Sequence, residues 1–270
     1  MTRPDFPVVV PHDGGMNSRT WWVTDHDGSR WLAKWVPDGA LVSLAAGTRA
    51  ADLAAATGVP TGRAGRPVAA WDGGELALLE IVPGTPLADT ADDQRRIGAT
   101  LAAVHTATAG HVVPGALDWH WVDPAHPDLA VDPALRAAVG SAVDAVAALP
   151  SLVTGVCHGD PAPEAFLADG PTTGLIDWGS PVNGPLLFDV ASAAMYLGGL
   201  DAARPMIEAY AAARGPATPD LDHLAVMLRL RWAVQADYYA HRIATGDLTG
   251  LDSADGNLKG LADARVALLG

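Results

Sequence analysis

Apolar positions along this chain follow two rhythms, and the change between them near residue 83 divides it. Before that point the apolar runs are short: Val8-Val9-Val10, Thr20-Trp21-Trp22-Val23-Thr24, Arg30-Trp31-Leu32-Ala33-Lys34-Trp35-Val36, Val68-Ala69-Ala70-Trp71 and Leu76-Ala77-Leu78-Leu79 onward. Turn residues such as Asp25-His26-Asp27-Gly28 and Asp72-Gly73-Gly74 separate them, which predicts antiparallel strands in hairpins. One alanine-rich helix is expected over residues 41–57, stopped by Gly58-Val59-Pro60. After Pro83-Gly84-Thr85-Pro86, read as a linker, the spacing turns helical. Thr90 can cap a helix bearing Ile97, Leu101 and Val104, with His105 near its end as a structural histidine. Further helices are expected over 133–149, 190–196, 203–214, 220–243 and 258–269.

Between the helices lies a stretch of a different kind. Ser151-Leu152-Val153-Thr154-Gly155-Val156-Cys157 runs into His158-Gly159-Asp160, and Thr173-Gly174-Leu175-Ile176 runs into Asp177. Phe166-Leu167-Ala168 followed by Asp169-Gly170-Pro171 signals a hairpin between them. Two carboxylates at neighbouring strand ends suit a metal-assisted reaction, one orienting a hydroxyl and the other holding a cation.

Composition narrows the field. The formal charge is −14, from 17 basic and 31 acidic residues, and no Lys/Arg block offers a nucleic-acid footprint. No apolar run approaches the roughly 20 residues that span a bilayer, and the start lacks a signal-peptide layout. A cytoplasmic protein with neither nucleic-acid nor membrane partners is the expectation. The single cysteine, Cys157, excludes an internal disulfide and reads as a buried thiol. The absence of a G-x-S-x-G elbow disfavours a serine hydrolase. Lys34, set among apolar residues, either pairs with an anion such as a phosphate or points to solvent. The loop Gly14-Gly15-Met16-Asn17-Ser18 is either a backbone cradle for phosphate or an ordinary hairpin loop.

In order, Gly14-Gly15-Met16-Asn17-Ser18, Lys34, Leu79-Glu80-Ile81-Val82-Pro83-Gly84, His158-Gly159-Asp160 and Ile176-Asp177-Trp178 resemble the aminoglycoside phosphotransferase and choline kinase-like family. The resemblance spans about residues 8 to 195. It implies an α+β, protein-kinase-like bilobal fold, with a small antiparallel β lobe over 1–82 and a larger, mostly helical lobe over 83–270. It implies ATP, or GTP, and Mg²⁺ between the lobes, and a small-molecule hydroxyl as acceptor. Asp160 would orient that hydroxyl, His158 would brace its loop, and Asp177 would ligate magnesium. Lys34 would pair with phosphate oxygens, Gly14, Gly15, Asn17 and Ser18 would cover the phosphates, and Glu80, Ile81 and Val82 would form the purine-binding hinge. Trp178, Asp237 and Tyr238, with Trp119 and Trp121, are candidates for the acceptor pocket.

Two positions depart from the family pattern. The asparagine that normally follows the HGD aspartate by five positions, as a metal ligand, is Ala165 here, with Glu164 beside it as the candidate oxygen donor. The helix after Lys34 has no glutamate; Gly47 stands nearest its place and Asp52 is the helix's only acid. A kinase-fold protein that binds nucleotide without transferring phosphate is therefore the alternative. The acceptor's identity and the oligomeric state are not legible in the sequence.

Overall fold

The computed structural model describes residues 8–12, 18–39, 43–119, 122–249, 251 and 253–270. Gly14, Gly15 and Asn17 of the glycine loop, and Trp121, lie outside them. The chain opens with β1 (Val8–His12), β2 (Arg19–Thr24) and β3 (Arg30–Pro37), then α1 (Leu44–Ala55), β4 (Ala69–Trp71) and β5 (Gly74–Glu80). Among the described residues these strands form one sheet in the order β1-β2-β3-β5-β4, with every pairing antiparallel. The register sets Lys34 of β3 between Thr20 of β2 and Ala77 of β5. α1 begins at Ser43, whose hydroxyl accepts the Ala46 N–H, satisfying one of the donors a helix start leaves open.

Next come β6 (Thr85–Pro86), α2 (Ala91–Thr108), β7 (Leu117–Asp118), α3 (Pro133–Ala147), β8 (Thr154–Cys157), β9 (Phe166–Asp169), β10 (Thr172–Leu175) and β11 (Val182–Pro185). The chain closes with α4 (Leu187–Tyr196), α5 (Arg204–Ala212), α6 (Leu224–Thr245) and α7 (Asp255–Leu269). Thr90 caps α2 by accepting the Asp93 N–H. The expected linker is shorter than its sequence suggests, because Thr85 and Pro86 pair antiparallel with Ala168 and Leu167 of the β9–β10 hairpin. Gly84 permits the approach: a Cβ there would lie 2.7 Å from the Ala168 carbonyl oxygen.

Three differences from the sequence reading have physical causes. β11 gives little strand signal, since Val182-Asn183-Gly184-Pro185 holds a glycine and a proline. It forms because β7 and β8 flank it, in parallel and antiparallel pairing, and Gly184 makes room for Trp119, whose Cβ would stand 2.4 Å from an added Cβ. α4 starts three residues before the expected 190, and residues 187–195 are all buried, so it has no polar stripe to set its phase. α6 starts later than 220, because a 3-10 turn over Thr218–His223 precedes it and Asp220 accepts the Val153 N–H at 2.8 Å. The core is a continuous apolar cluster spanning α1 through α7. Cys157 lies within it, its thiol pushed up by burial and donating to the Pro185 carbonyl at 3.3 Å. No described helix is long and apolar enough to cross a membrane.

Candidate active site

β8 ends in a turn that only one residue type could make. Gly159 has φ +89°, and a Cβ there would stand 1.9 Å from the Ser180 carbonyl oxygen. The turn is anchored from beneath by Asp189 of α4, which is fully buried. Its Oδ2 accepts the His158 N–H at 2.6 Å and its Oδ1 the Gly159 N–H at 2.8 Å. His105 Nε2 lies 3.1 Å from Oδ2, and because an ionised carboxylate only accepts, Nε2 carries the hydrogen. The Tyr210 hydroxyl accepts the Ala217 N–H at 3.1 Å and can donate to His105 Nδ1 at 2.8 Å. Burial alone would raise the Asp189 carboxyl, but His105 and the Gly159 N–H reverse that and hold it below the usual carboxylate range.

This buried network delivers Asp160 to the surface with 54% of its side chain exposed. Asp160 Oδ1 accepts the Tyr196 hydroxyl, and Arg231 Nη2 of α6 lies 3.4 Å from the same oxygen. Next to it, His158 Nε2 contacts the Ile176 carbonyl at 2.9 Å while Nδ1 faces the Asp160 N–H at 3.3 Å. The Nε2–H tautomer satisfies both contacts. Since the Ile176 N–H also donates to the Ala165 carbonyl at 2.9 Å, the loops carrying Asp160 and Asp177 are tied together twice.

Asp177 adopts φ +67°, an uncommon conformation for a residue with a Cβ, and accepts a hydrogen bond from Lys34 Nζ. The lysine is 12% exposed and the aspartate 56%. Crowding by the surrounding protein would raise the Asp177 carboxyl; the charge and hydrogen bond of Lys34 override it and hold the carboxyl low. Lys34 thus finds its partner on the opposite side of the cleft and not on α1. α1 could not carry a side chain at position 47, because a Cβ on Gly47 would lie 2.0 Å from the Trp178 carbonyl oxygen. Trp178 is buried, its Nε1–H bonded to the Leu175 carbonyl at 2.9 Å and its ring edge-on to His158.

Lys34, Asp177 and Trp178 line a cavity of about 260 Å³ together with Ser18, Glu80, Ile81 and Val82. Of the other described candidates, Asp160, His158, Glu164, Trp119, Asp237 and Tyr238 do not line it. Glu164 is exposed on the 3-10 turn Pro163–Ala165, next to the buried Ala165. Asp237 and Tyr238, adjacent on α6, point to different surroundings. Asp237 is half-buried, and desolvation raises its carboxyl against the charges of His126 and His241, the latter 2.8 Å from Asp128. The Tyr238 hydroxyl accepts Arg242 Nη1 at 3.1 Å, and that buried arginine ties α6 to Asn257 of α7 through Nε at 2.9 Å. Tyr196, Asp189 and Arg231 were not singled out by sequence reasoning. Arg231 carries the one signal that could have found it, a charge within the apolar spacing of Leu230, Ala233 and Val234.

Among the described residues no three His, Cys, Asp or Glu side chains converge as a metal cage. A single carboxylate such as Asp177 beside phosphate oxygens and water still matches the way magnesium is commonly held.

A sequence model described as "Phosphotransferase enzyme family" matches residues 8–226. No curated protein sequence matches the chain. Among solved structures, amicoumacin kinase, in complex with AMP-PNP, Ca²⁺ and Ami, superposes with a TM-score of 0.75 at 16% identity, covering 98% of this chain and 88% of that one. A choline/ethanolamine kinase family protein from Mesorhizobium loti gives 0.70 at 17% identity, covering 99% and 90%. Choline kinase from Streptococcus pneumoniae gives 0.68 at 15% identity, covering 98% and 94%. These similarities establish a kinase-like fold with an antiparallel N-terminal sheet and a helical C-terminal part.

Proposed function

Since this chain belongs to the phosphotransferase enzyme family, we propose that it transfers the γ-phosphoryl group of ATP, with GTP as the alternative donor, to a hydroxyl of a small molecule. Sugars, amino sugars including aminoglycosides, amino alcohols and nucleoside-like compounds are the acceptor classes. The observation that carries this reading is the coupling of Asp160 to Asp177 through His158 and Ile176, with Lys34 paired to Asp177 at the wall of one cavity.

Each residue then has a task. Lys34 meets the donor's phosphate oxygens, and the backbone of Glu80, Ile81 and Val82 meets the purine edge. Ser18, with Gly14, Gly15 and Asn17, covers the phosphates. Asp177 holds a divalent cation, with Glu164 as a second candidate ligand; when bound, Mg²⁺ neutralises charge on the phosphate oxygens. Asp160 accepts a hydrogen bond from the acceptor hydroxyl and aims it for in-line attack, while His158 keeps the loop in place. Phosphoryl transfer asks little covalent chemistry of the protein, so positioning and charge account for the rate.

The test is ATP consumption by the purified chain against a panel of hydroxyl compounds: aminoglycosides, hexosamines, nucleosides and choline. Turnover that disappears in Asp160→Ala while MgATP still raises the melting temperature supports the reading; an active Asp160→Ala variant sinks it. Stabilisation by MgATP without turnover on any compound, or in water alone, favours the non-transferring alternative, which Ala165 and Gly47 motivate.

A further inference from the structure

Among the described residues, Asp160 is held at one oxygen only. The Tyr196 hydroxyl and Arg231 Nη2 both converge on Oδ1, from chain positions 36 and 71 residues away. Tyr196 is the last residue of α4 and Arg231 lies on α6, so two helices are needed to bring these donors together. Arg231 is only 4% exposed, its guanidinium lies over the Phe188 ring at 5.2 Å, and among the described residues its buried Nε has no partner. A guanidinium kept out of water with a donor unsatisfied is held there by packing, and so presents a fixed charge. Tyr196, 38% exposed, is suited to donate, because crowding by the surrounding protein, followed by the Asp160 charge, raises its phenol.

We propose that Tyr196 and Arg231 are positioning residues that occupy Oδ1 of Asp160 and thereby present Oδ2 to the acceptor hydroxyl. An aspartate's terminal torsion is broad and nearly two-fold, so an unheld carboxylate would exchange its two oxygens and blur the angle at which a hydroxyl is received. Two donors from different helices remove that freedom. The same guanidinium places positive charge beside the loop in which Ala165 offers no side-chain oxygen. The proposal rests on the reading of Asp160 as the acceptor-orienting residue.

The experiment measures MgATP turnover with water as acceptor, and with any compound found active, in Tyr196→Phe, Arg231→Lys and Arg231→Met. Tyr196→Phe removes one oxygen atom and is expected to lower kcat by about tenfold, with the KM for MgATP within about twofold of the parent. Arg231→Lys, which keeps the charge but not the fork, is expected to retain more rate than Arg231→Met. The decisive comparison sets kcat against the KM for MgATP in Tyr196→Phe, because a role that runs through Asp160 lowers the first and spares the second. An undiminished kcat in Tyr196→Phe overturns the proposal, as does a loss of kcat matched by an equal loss of MgATP affinity. Should Arg231→Met fail to fold, Tyr196→Phe still decides. A parent chain with no turnover in water or on any compound defeats the functional reading and this proposal with it; parent turnover that Tyr196→Phe leaves intact defeats the positioning role alone.

Discussion

Gly47 of α1 stands against the carbonyl of Trp178, so close that a Cβ would fall 2.0 Å from the oxygen. This contact holds α1 directly onto the loop carrying Asp177, at the helix position whose spacing comes nearest to that of the expected glutamate. On that loop Asp177 accepts a hydrogen bond from Lys34.

Gly47→Ala should destabilise the protein although alanine is the better helix former. The propensity gain is about 1 kcal/mol. A backbone oxygen cannot swing aside, and overpacking of this kind costs about 1–3 kcal/mol. A fall in melting temperature of a few degrees is expected in a thermal scan. Gly140 in α3 is the control, since a Cβ there meets only Pro124 Cβ at an ordinary 3.8 Å. Gly140→Ala should raise stability by about 0.5–1 kcal/mol. Equal responses at the two positions would contradict the contact.

Asp189→Asn should cost about 3–5 kcal/mol in chemical denaturation, the range for breaking a buried ionic network. The carboxylate takes donors on both oxygens, from the His158 N–H, the Gly159 N–H and His105. An asparagine amide turns one of those oxygens into a donor facing a donor. Because the same contacts form the turn before Asp160, turnover should fall together with stability.

Lys34→Met should let the Asp177 carboxyl rise, since crowding would then act without the lysine's opposing charge. A carboxylate-resolved NMR titration of the parent and variant checks the direction. Loss of one charge-assisted contact should also weaken MgATP binding by about tenfold or more in calorimetry.

Acid stability follows from the same carboxyls. Asp177 and Asp189 are both held below their usual range, so the folded state binds their protons less readily than the unfolded chain. Their contribution is complete above roughly pH 4, the unfolded value, and is lost as pH falls through the lower folded values. Asp237, raised by desolvation, acts in the opposite sense and loses its contribution as pH rises. Unfolding free energies measured between about pH 6 and pH 3 should drop on the acid side, and Asp189→Asn should flatten that drop.

Local pattern carried much of this architecture. The strands around Lys34, the Thr90 cap, the hairpin at Asp169-Gly170 and the burial of Cys157 follow from period, turn chemistry and capping, each of which acts over a few residues. Such signals weaken where the environment sets the conformation: β11 exists because two strands flank it, and α4 is buried from Leu187 to Met195. The sequence by itself therefore determined most of the elements and the identity of Asp160, Lys34 and Asp177 as chemical groups. Tertiary structure alone decided what holds them. Asp189 meets His105 across 84 positions, Arg231 meets Asp160 across 71, and Lys34 meets Asp177 across 143. Contacts at those separations leave no periodic trace, because they form only when packed helices bring buried charges to the partners that compensate their lost hydration.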